Sequence, residues 1–282
     1  MNKNLLILGK NNFLTKDLEA KLNRDGICHY YENERINKKD LYLISDLFCK
    51  KYFFHQGIIF NYILVTIHIH NDRNIINNSN IILAKHINYF SKINKNAKII
   101  YISSTQASKG NFNKYAIDKL NTEEVYTKSN NYLIIRPSTI LKEMESIIYG
   151  GFRGKTIMKV SKFIKRYKFF PVPNKGEYQH TYCTVNSLSN FIIAILNNEI
   201  FKNEKINFFS GEYLSYKEFI KKIAKHLNIN IKLIFIPVKV FKILLAILFM
   251  KNAIKQIDNL LIEKIEYDKT EEIKKIIKLE TL

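Results

Sequence analysis

The chain has 282 residues, of which 46% are hydrophobic and only 4 are proline, so it can form one large α/β domain, with or without a smaller lobe. Its net charge of +20 and pI of about 9.6 first suggest nucleic acid or an anionic membrane as a partner. Lysine supplies most of that charge, whereas arginine, which nucleic-acid readers use for bidentate contacts, is scarce. Because no known nucleic-acid motif accompanies the charge, we expect no nucleic-acid partner.

The three cysteines, Cys28, Cys49 and Cys183, are widely spaced and form no CxxC pair. This pattern argues against a disulfide framework or a zinc site and fits a reducing cytoplasm. The most hydrophobic stretch, 240–250, is interrupted by Lys242 and is too short to span a bilayer. It predicts a buried or partly exposed helix, with contact at a membrane surface as the alternative because lysines flank it.

Strands and helices alternate in the first half of the chain, as apolar periodicity indicates. A strand over 4–9 ends in glycine and precedes a helix over 13–22. The next elements, in chain order, are a strand over 26–32, a buried strand within 57–67, a helix over 78–93, a strand over 97–104, a helix over 114–128 and a strand over 132–137. Near-continuous apolar strands that alternate with helices predict a parallel, doubly wound sheet.

The second half of the chain has a looser pattern. The stretch 150–157 is predicted to be a glycine-rich loop, and 169–185 an irregular segment with strand character. Ser215 and Glu218 have the spacing of a capping box, which predicts a helix over 215–227. This half is therefore expected to form a small lobe on the first.

The stretch from Ser103 to Lys119 carries the pattern that most suggests chemistry. Tyr115 and Lys119 are four apart on a predicted helix, so they lie on one face. A free tyrosine, with a pKa near ~10, is a poor base at neutral pH, and a nearby ammonium lowers that pKa. A preceding hydroxyl can hold a substrate oxygen while the proton moves. A surface pair in a lysine-rich chain is the competing interpretation.

Several motifs, in this order, resemble those of the extended short-chain dehydrogenase/reductase superfamily, the NAD-dependent sugar epimerase/dehydratase group. These are "IIYISS", "KYAIDKLNTEE", "YLIIRPSTI", "FFPVPNKGEYQHTYCTVNSLSNFIIAIL" and "INFFSGEYLSYKEFIKKIAKHL", within roughly residues 4–240. The resemblance implies a Rossmann-like α/β fold with a small C-terminal substrate lobe. We expect 1–140 to be the dinucleotide-binding region and 141–282 to be mainly the substrate lobe, with some elements returning to the main sheet.

The resemblance also implies roles for the residues around the helix. Tyr115 would be the catalytic acid/base, and Lys119 would lower its pKa and hold the nicotinamide ribose. Ser104 would be the helper hydroxyl, with Ser103 and Thr105 as alternatives if the register shifts by one.

The first turn departs from the G-x-x-G-x-x-G pattern of that group, because "GKNNFLT" keeps Gly9 but places Asn12 and Thr15 at the other two glycine positions. Asn12 tolerates positive φ and is expected to keep the turn, whereas Thr15 is expected to hinder close packing of helix and strand. Lys10 is expected to add a phosphate contact. The cofactor-binding residues of this turn are expected to be Gly9, Asn12, Phe13 and Leu14.

Two residues after the second strand bear on the choice of cofactor. By the resemblance, Glu32 would bond the adenine ribose hydroxyls and favour NAD, while Arg35 leaves NADP open. The expected cofactor is therefore NAD or NADP.

Other candidates carry weaker signals. His68 and His70 face the same side of a strand and are interpreted as a core or cleft pair, since no further metal ligands are evident. His180 and Cys183 show no functional pattern, and no metal site is expected. Arg153 is either a clamp for a substrate phosphate or a solvated loop charge.

The leading hypothesis is an NAD(P)-dependent nucleotide-sugar epimerase, reductase or dehydratase, which the resemblance connects to surface-polysaccharide or lipopolysaccharide synthesis. It also allows a homodimer. One alternative is a degenerate, non-catalytic member that serves as a regulator or scaffold. Another is an enzyme at a membrane surface that acts on a lipid-linked sugar.

Overall fold

A computed structural model describes most of the chain. The described residues are 3–9, 12–25, 27–31, 59–67, 79–108, 114–141, 154–209, 214–249 and 270–279. They divide into two compact units, which are residues 1–137, 187–208 and 268–282 for the first and residues 138–186 and 209–267 for the second.

The first unit is built on six strands and the helices between them. In chain order these are β1 (Asn4–Leu8), α1 (Phe13–Arg24), β2 (Cys28–Tyr31), β3 (Tyr62–Val65), α2 (Ser79–Ile93), β4 (Lys98–Ile102), a 3₁₀ helix (Thr105–Ser108), α3 (Lys114–Tyr126) and β5 (Tyr132–Pro137). They continue with α5 (Val185–Asn198), β10 (Glu204–Phe208) and α8 (Thr270–Leu279).

The six strands form one parallel sheet in the order β10-β5-β4-β3-β1-β2. The chain runs outward from β1 to β2 and then returns past β1 to β3, so the winding reverses between β1 and β3. Ligands of open parallel sheets bind at the carboxyl ends of the strands near such a reversal. The predicted parallel, doubly wound α/β fold is therefore confirmed.

Burial explains why these sequences form strands and helices here. The central strands are mostly apolar, and Leu6, Ile63 and Ile99 are fully buried. Helix α2 packs on the same cluster through Ile87 and Phe90. Buried apolar side chains of this size each contribute about 1.5–3 kcal/mol, so the core fixes where the strand ends lie.

The second unit contains short strand pairs and three helices among its described residues. These are β6 (Thr139–Leu141), α4 (Gly154–Tyr167), β7 (Phe169–Pro173), β8 (Gln179–His180), β9 (Tyr182–Thr184), β11 (Leu214–Ser215), α6 (Tyr216–His226), β12 (Lys232–Ile236) and α7 (Val238–Phe249). The pairs are β6 with β9, β7 with β12 and β8 with β11. A separate core, which includes Ile164, Phe170, Ile220 and Phe241, holds α4, β7, α6 and α7 together.

Of the sequence predictions for the second half of the chain, one is confirmed and one is wrong in part. The capping box of Ser215 and Glu218 is confirmed, because the Ser215 side chain accepts from the Glu218 amide and the Glu218 carboxylate accepts from the Ser215 amide. The loop predicted over 150–157 is wrong at its end, since α4 begins at Gly154. No described helix is long and apolar enough to cross a membrane.

Candidate active site

The carboxyl end of β4 places two serines next to α3. The Ser103 amide donates to the carbonyl of Ile135 at 2.7 Å, which extends the pairing of β4 with β5 by one residue. The Ser103 hydroxyl donates to Oε1 of Glu123, and both side chains are buried. The Ser103 hydroxyl is therefore engaged by a carboxylate inside the protein.

Ser104 lies immediately before the 3₁₀ helix and is only partly buried. Its carbonyl accepts from the Ala107 amide at 3.0 Å, and its Oγ accepts from the Gln106 amide at 3.3 Å. Thr105, the third hydroxyl of this stretch, is buried. Ser104 is thus the most exposed of the three hydroxyl residues.

Helix α3 brings Tyr115 and Lys119 together on one face, as their spacing predicts. The Lys119 Nζ atom lies 6.0 Å from the ring centroid of Tyr115 and 4.7 Å from that of Tyr101. Tyr115 is half-buried, whereas Lys119 is 3% exposed. The Lys119 ammonium donates to the carbonyl of Ile102 at 3.1 Å, which fixes it at the carboxyl end of β4.

Burial changes the acidity of Lys119. Desolvation lowers its pKa to about 8, while the charges of Asp118 and Glu123 act in the opposite direction. The Lys119 amine is therefore mostly protonated at neutral pH and loses its proton in mildly alkaline solution. In a surface pair of Tyr115 and Lys119, which was the competing interpretation of this stretch, the lysine would not be buried in this way.

The buried ion pair between Glu123 of α3 and Arg136 of β5 was not predicted from the sequence. Arg136 of β5 donates from Nε to Glu123 Oε1 at 3.0 Å and from Nη2 to Oε2. Glu123 is fully buried, and Lys205 of β10 lies 3.8 Å from its Oε2. One sequence signal was available: Glu123 continues the four-residue spacing of Tyr115 and Lys119.

The turn after β1 requires a glycine because of its backbone conformation and its close contact with the residues that follow β3. Gly9 has φ +111°, a conformation that side-chain-bearing residues rarely adopt. A Cβ atom at this position would lie 2.4 Å from Thr66 Oγ1 and 3.2 Å from the Ile67 amide nitrogen. Gly9 therefore allows β1 and β3 to end side by side.

The positive φ predicted for Asn12 and the effect predicted for Thr15 are both wrong, although Asn12 does bond across the turn. Asn12 does not need positive φ, because it is the extended N-cap of α1 with φ −118°. Thr15 does not hinder packing, because it is fully buried and completes a capping box in which Asn12 Oδ1 accepts from the Thr15 amide at 2.9 Å. The Asn12 amide group also donates to Gly9 O and to Thr66 Oγ1, both at 2.9 Å.

Phe13 and Leu14 begin α1 directly after this cap. Phe13 is 45% exposed and Leu14 is buried. Their amides are the first two of the helix, where no carbonyl of the same helix can accept them. The first turn contains no acidic residue, so the positive end of the helix dipole is not neutralised there.

Several predicted residues lie outside the described part of the structure. These are Lys10, Glu32, Arg35, His68, His70 and Arg153, and the side chain of His180 is likewise outside it. Cys183 is buried in β9, and burial raises the pKa of its thiol to about 12, which makes it unreactive at neutral pH. Among the described residues, no group of His, Cys, Asp and Glu side chains could hold a metal ion.

Comparison with known proteins gives matches among solved structures. No protein-family model and no curated protein sequence matches the chain. The dTDP-4-dehydrorhamnose reductase from Bacillus anthracis, in complex with NADP, aligns with TM-score 0.62 and 18% identity, over 86% of each chain.

Two further structures align over similar lengths. The Bordetella bronchiseptica enzyme WbmG in complex with NAD has TM-score 0.63 and 11% identity, over 84% of this chain and 82% of that one. UDP-glucose 4-epimerase from Thermotoga maritima with UDP-glucose has TM-score 0.58 and 15% identity, over 83% and 85%. The fold expected from the resemblance to sugar-modifying short-chain dehydrogenases/reductases is therefore confirmed.

Proposed function

We propose that this chain is an NAD(P)-dependent enzyme that acts on a nucleotide sugar as an epimerase, reductase or dehydratase, in the synthesis of surface polysaccharide or lipopolysaccharide. The observation that carries the proposal is the pairing of half-buried Tyr115 with the buried ammonium of Lys119 at the carboxyl end of β4. Solved structures of the same fold include enzymes crystallised with NADP, with NAD and with UDP-glucose.

In this proposal the three side chains divide the proton transfer between them. Tyr115 exchanges a proton with the hydroxyl or carbonyl oxygen of the sugar carbon that is oxidised or reduced. Lys119 is mostly charged at neutral pH, and its ammonium stabilises the tyrosinate form. Ser104 hydrogen-bonds the same sugar oxygen and so holds it for the transfer.

The β1–α1 turn is proposed to hold the pyrophosphate of the dinucleotide. The amides of Phe13 and Leu14 and the dipole of α1 suit an anion there, and no acid in the first turn opposes it. Lys119 is proposed to bond the nicotinamide ribose. When bound, the nicotinamide would accept or supply the hydride that the sugar carbon loses or gains.

Four residues outside the described part of the structure are also proposed to contact the cofactor or the substrate. Glu32 is proposed to favour NAD through the adenine ribose, while Arg35 allows NADP. Lys10 is proposed to contact the cofactor's pyrophosphate, and Arg153 a phosphate of the nucleotide sugar. The second unit, 138–186 and 209–267, is proposed as the substrate lobe.

A second candidate function has its own observation. The Asn12 side chain bonds both Gly9 and Thr66 and so fills the turn where the resembled group has a glycine. A degenerate, non-catalytic member would retain the fold with such a turn and serve as a scaffold or regulator. Failure to bind a dinucleotide would favour this candidate.

Titration calorimetry of the full chain with NADH and with NADPH tests the proposal. Saturable binding of at least one of them supports the enzyme, and Glu32→Ala should then weaken NADH more than NADPH. Asn12→Gly, which restores the glycine of the resembled group, is the matched variant. If neither dinucleotide binds the natural chain but the Asn12→Gly variant binds one, the natural chain is the degenerate, non-catalytic member.

A further inference from the structure

Acidic residues are unevenly distributed in the second unit. From Phe219 to Ile257 the sequence contains no Asp or Glu and eight lysines, and from Ser146 to Gly176 it contains no acid and eight Lys or Arg residues. The two runs meet in one folded lobe, because α4 and β7 of the second run pack in the same core as α6 and α7 of the first. The described cationic residues of both runs therefore belong to the same compact unit.

Exposed apolar side chains cluster within the first of these runs. Ile234, Phe235, Val240 and Ile243 are 39%, 55%, 44% and 60% exposed, and they fall within ten consecutive residues. Lys232 and Lys239 in the same stretch are also exposed. We call residues 232–243 the 232–243 surface.

The fold explains why these side chains face outward. Phe241 of α7 is fully buried in the core of the lobe, so Val240 and Ile243 occupy other faces of the helix. Strand β12 has one strand neighbour, β7, among the described residues, and it ends immediately before α7. The apolar residues are therefore displayed by a packed element and do not belong to the core.

We propose that the 232–243 surface binds the surface of an anionic lipid bilayer. Exposed apolar side chains enter the boundary of head groups and acyl chains, while adjacent lysines keep their ammonium groups among lipid phosphates. Cationic residues near an anionic bilayer add attraction that salt screens. The described part of this helix, Val238–Phe249, is too short to cross a bilayer, and the proposed contact is a peripheral one.

A lipid surface fits these residues better than a nucleic acid does. The acid-free run from Phe219 to Ile257 contains no arginine, the residue that reads phosphate and bases by bidentate contacts. Of the four exposed large apolar side chains among its described residues, three are aliphatic and one is aromatic, which suits acyl chains. The proposal is independent of the enzymatic function, since neither Tyr115 nor Lys119 belongs to this surface.

Co-sedimentation of the full chain with vesicles tests the proposal. We expect the protein to pellet with vesicles of two parts phosphatidylcholine to one part phosphatidylglycerol, and to stay in solution with phosphatidylcholine alone. Raising the salt from about 0.05 M to about 0.5 M should release most of it. Pelleting with both vesicle types, or with neither, would overturn the proposal.

Matched variants separate a local surface from net charge. Lys232→Glu with Lys239→Glu should lower the bound fraction by at least about tenfold, since each cation near such a bilayer contributes roughly a fivefold factor. The control, Lys85→Glu with Lys92→Glu on α2, changes net charge equally and should bind several times better than that variant. Equal losses in the two would overturn the proposal.

A second pair of variants tests the apolar contact. Phe235→Ser with Ile243→Ser should also weaken binding, whereas Tyr89→Ser with Ile93→Ser, at exposed positions on α2, should not. Circular dichroism of each variant checks that it folds. Suppose that the folded Phe235→Ser and Ile243→Ser variant binds vesicles as well as the natural chain does, and that single-stranded RNA retains the variant and the natural chain equally. The surface would then be a general polyanion contact and not a membrane site.

Discussion

Arg136 of β5 donates hydrogen bonds to both carboxylate oxygens of Glu123, which is fully buried in α3. Glu123 lies one helical turn beyond Lys119 and also accepts from the hydroxyl of Ser103. This ion pair therefore attaches the helix that carries Tyr115 and Lys119 to two strand ends of the sheet. The geometry of the proposed site depends on it.

Replacing one partner of this pair should destabilise the protein strongly. Glu123→Gln leaves the guanidinium of Arg136 largely buried without its counter-charge, and breaking a buried pair costs about 3–5 kcal/mol. The double variant Glu123→Gln with Arg136→Met should recover part of that loss. Urea unfolding followed by circular dichroism measures each value.

Lys205→Met is the control for this pair, because Lys205 is 3.8 Å from the same carboxylate but is partly exposed. It should cost less than about 1 kcal/mol. If Glu123→Gln cost no more than Lys205→Met, the pair would not anchor α3.

The two neighbouring serines should respond in opposite ways. Ser103→Ala removes a hydrogen bond from the buried Glu123 carboxylate and should lower the unfolding free energy by about 1–3 kcal/mol. Ser104→Ala should leave stability within about 0.5 kcal/mol, because its side chain is partly exposed, but should reduce turnover. Loss of turnover in a fully stable Ser103→Ala, with normal turnover in Ser104→Ala, would assign the helper role to Ser103.

Lys119 should give the protein a characteristic pH dependence of stability. An unfolded lysine keeps its proton to about pH 10.5, whereas burial lowers the pKa of Lys119 in the folded protein to about 8. Between these values the unfolded state binds more protons, so this residue makes the free energy of unfolding rise with pH. Lys119→Met should lack that increment, which is roughly 2–3 kcal/mol over the window.

Denaturant unfolding of the two proteins at pH 7, 8, 9 and 10 measures the difference. Lys128→Met, an exposed lysine just after α3, is the control and should follow the natural chain. Parallel curves for the natural chain and Lys119→Met would show that Lys119 titrates as an ordinary surface lysine.

The first turn should tolerate no side chain at Gly9. Gly9→Ala puts a Cβ atom 2.4 Å from Thr66 Oγ1 and strains a backbone with φ +111°. We expect a loss of about 1–3 kcal/mol in unfolding free energy. Gly9→Ala combined with Thr66→Ala should be less destabilised than the sum of the two, since the collision is gone while the backbone strain persists. Additive losses would show that no collision occurs.

Local sequence patterns were sufficient to predict most of the described strands and helices of the first unit. The strand over 132–137 follows from its nearly continuous apolar run, and the helix from Lys114 follows from the helical spacing of its residues. The four-residue spacing of Tyr115 and Lys119 also fixes their common face. These are properties of neighbouring residues, which a sequence displays directly.

The features that were missed depend on other parts of the fold. The pairing of Glu123 with Arg136 joins a helix to a strand, and the four-residue spacing that places Glu123 on the face of Lys119 does not identify its partner. Helix α4 was hidden because its first residue is Gly154 and glycines precede it, which is typical of a loop. The Asn12 side chain, besides capping α1, also donates a hydrogen bond to Thr66, which is more than fifty residues away in the chain.

The turnover of Tyr115→Phe tests the proposed function most directly. The natural chain and the variant are incubated with NADH or NADPH and a panel of UDP- and dTDP-sugars and their keto derivatives, and products are followed by NMR. We expect turnover to fall by about 10²–10⁴-fold, the usual contribution of a positioned acid or base. Dinucleotide affinity and melting temperature should be unchanged, and Tyr89→Phe, at an exposed position on α2, should be fully active. Near-normal turnover in Tyr115→Phe would contradict the assignment of Tyr115 as the acid/base.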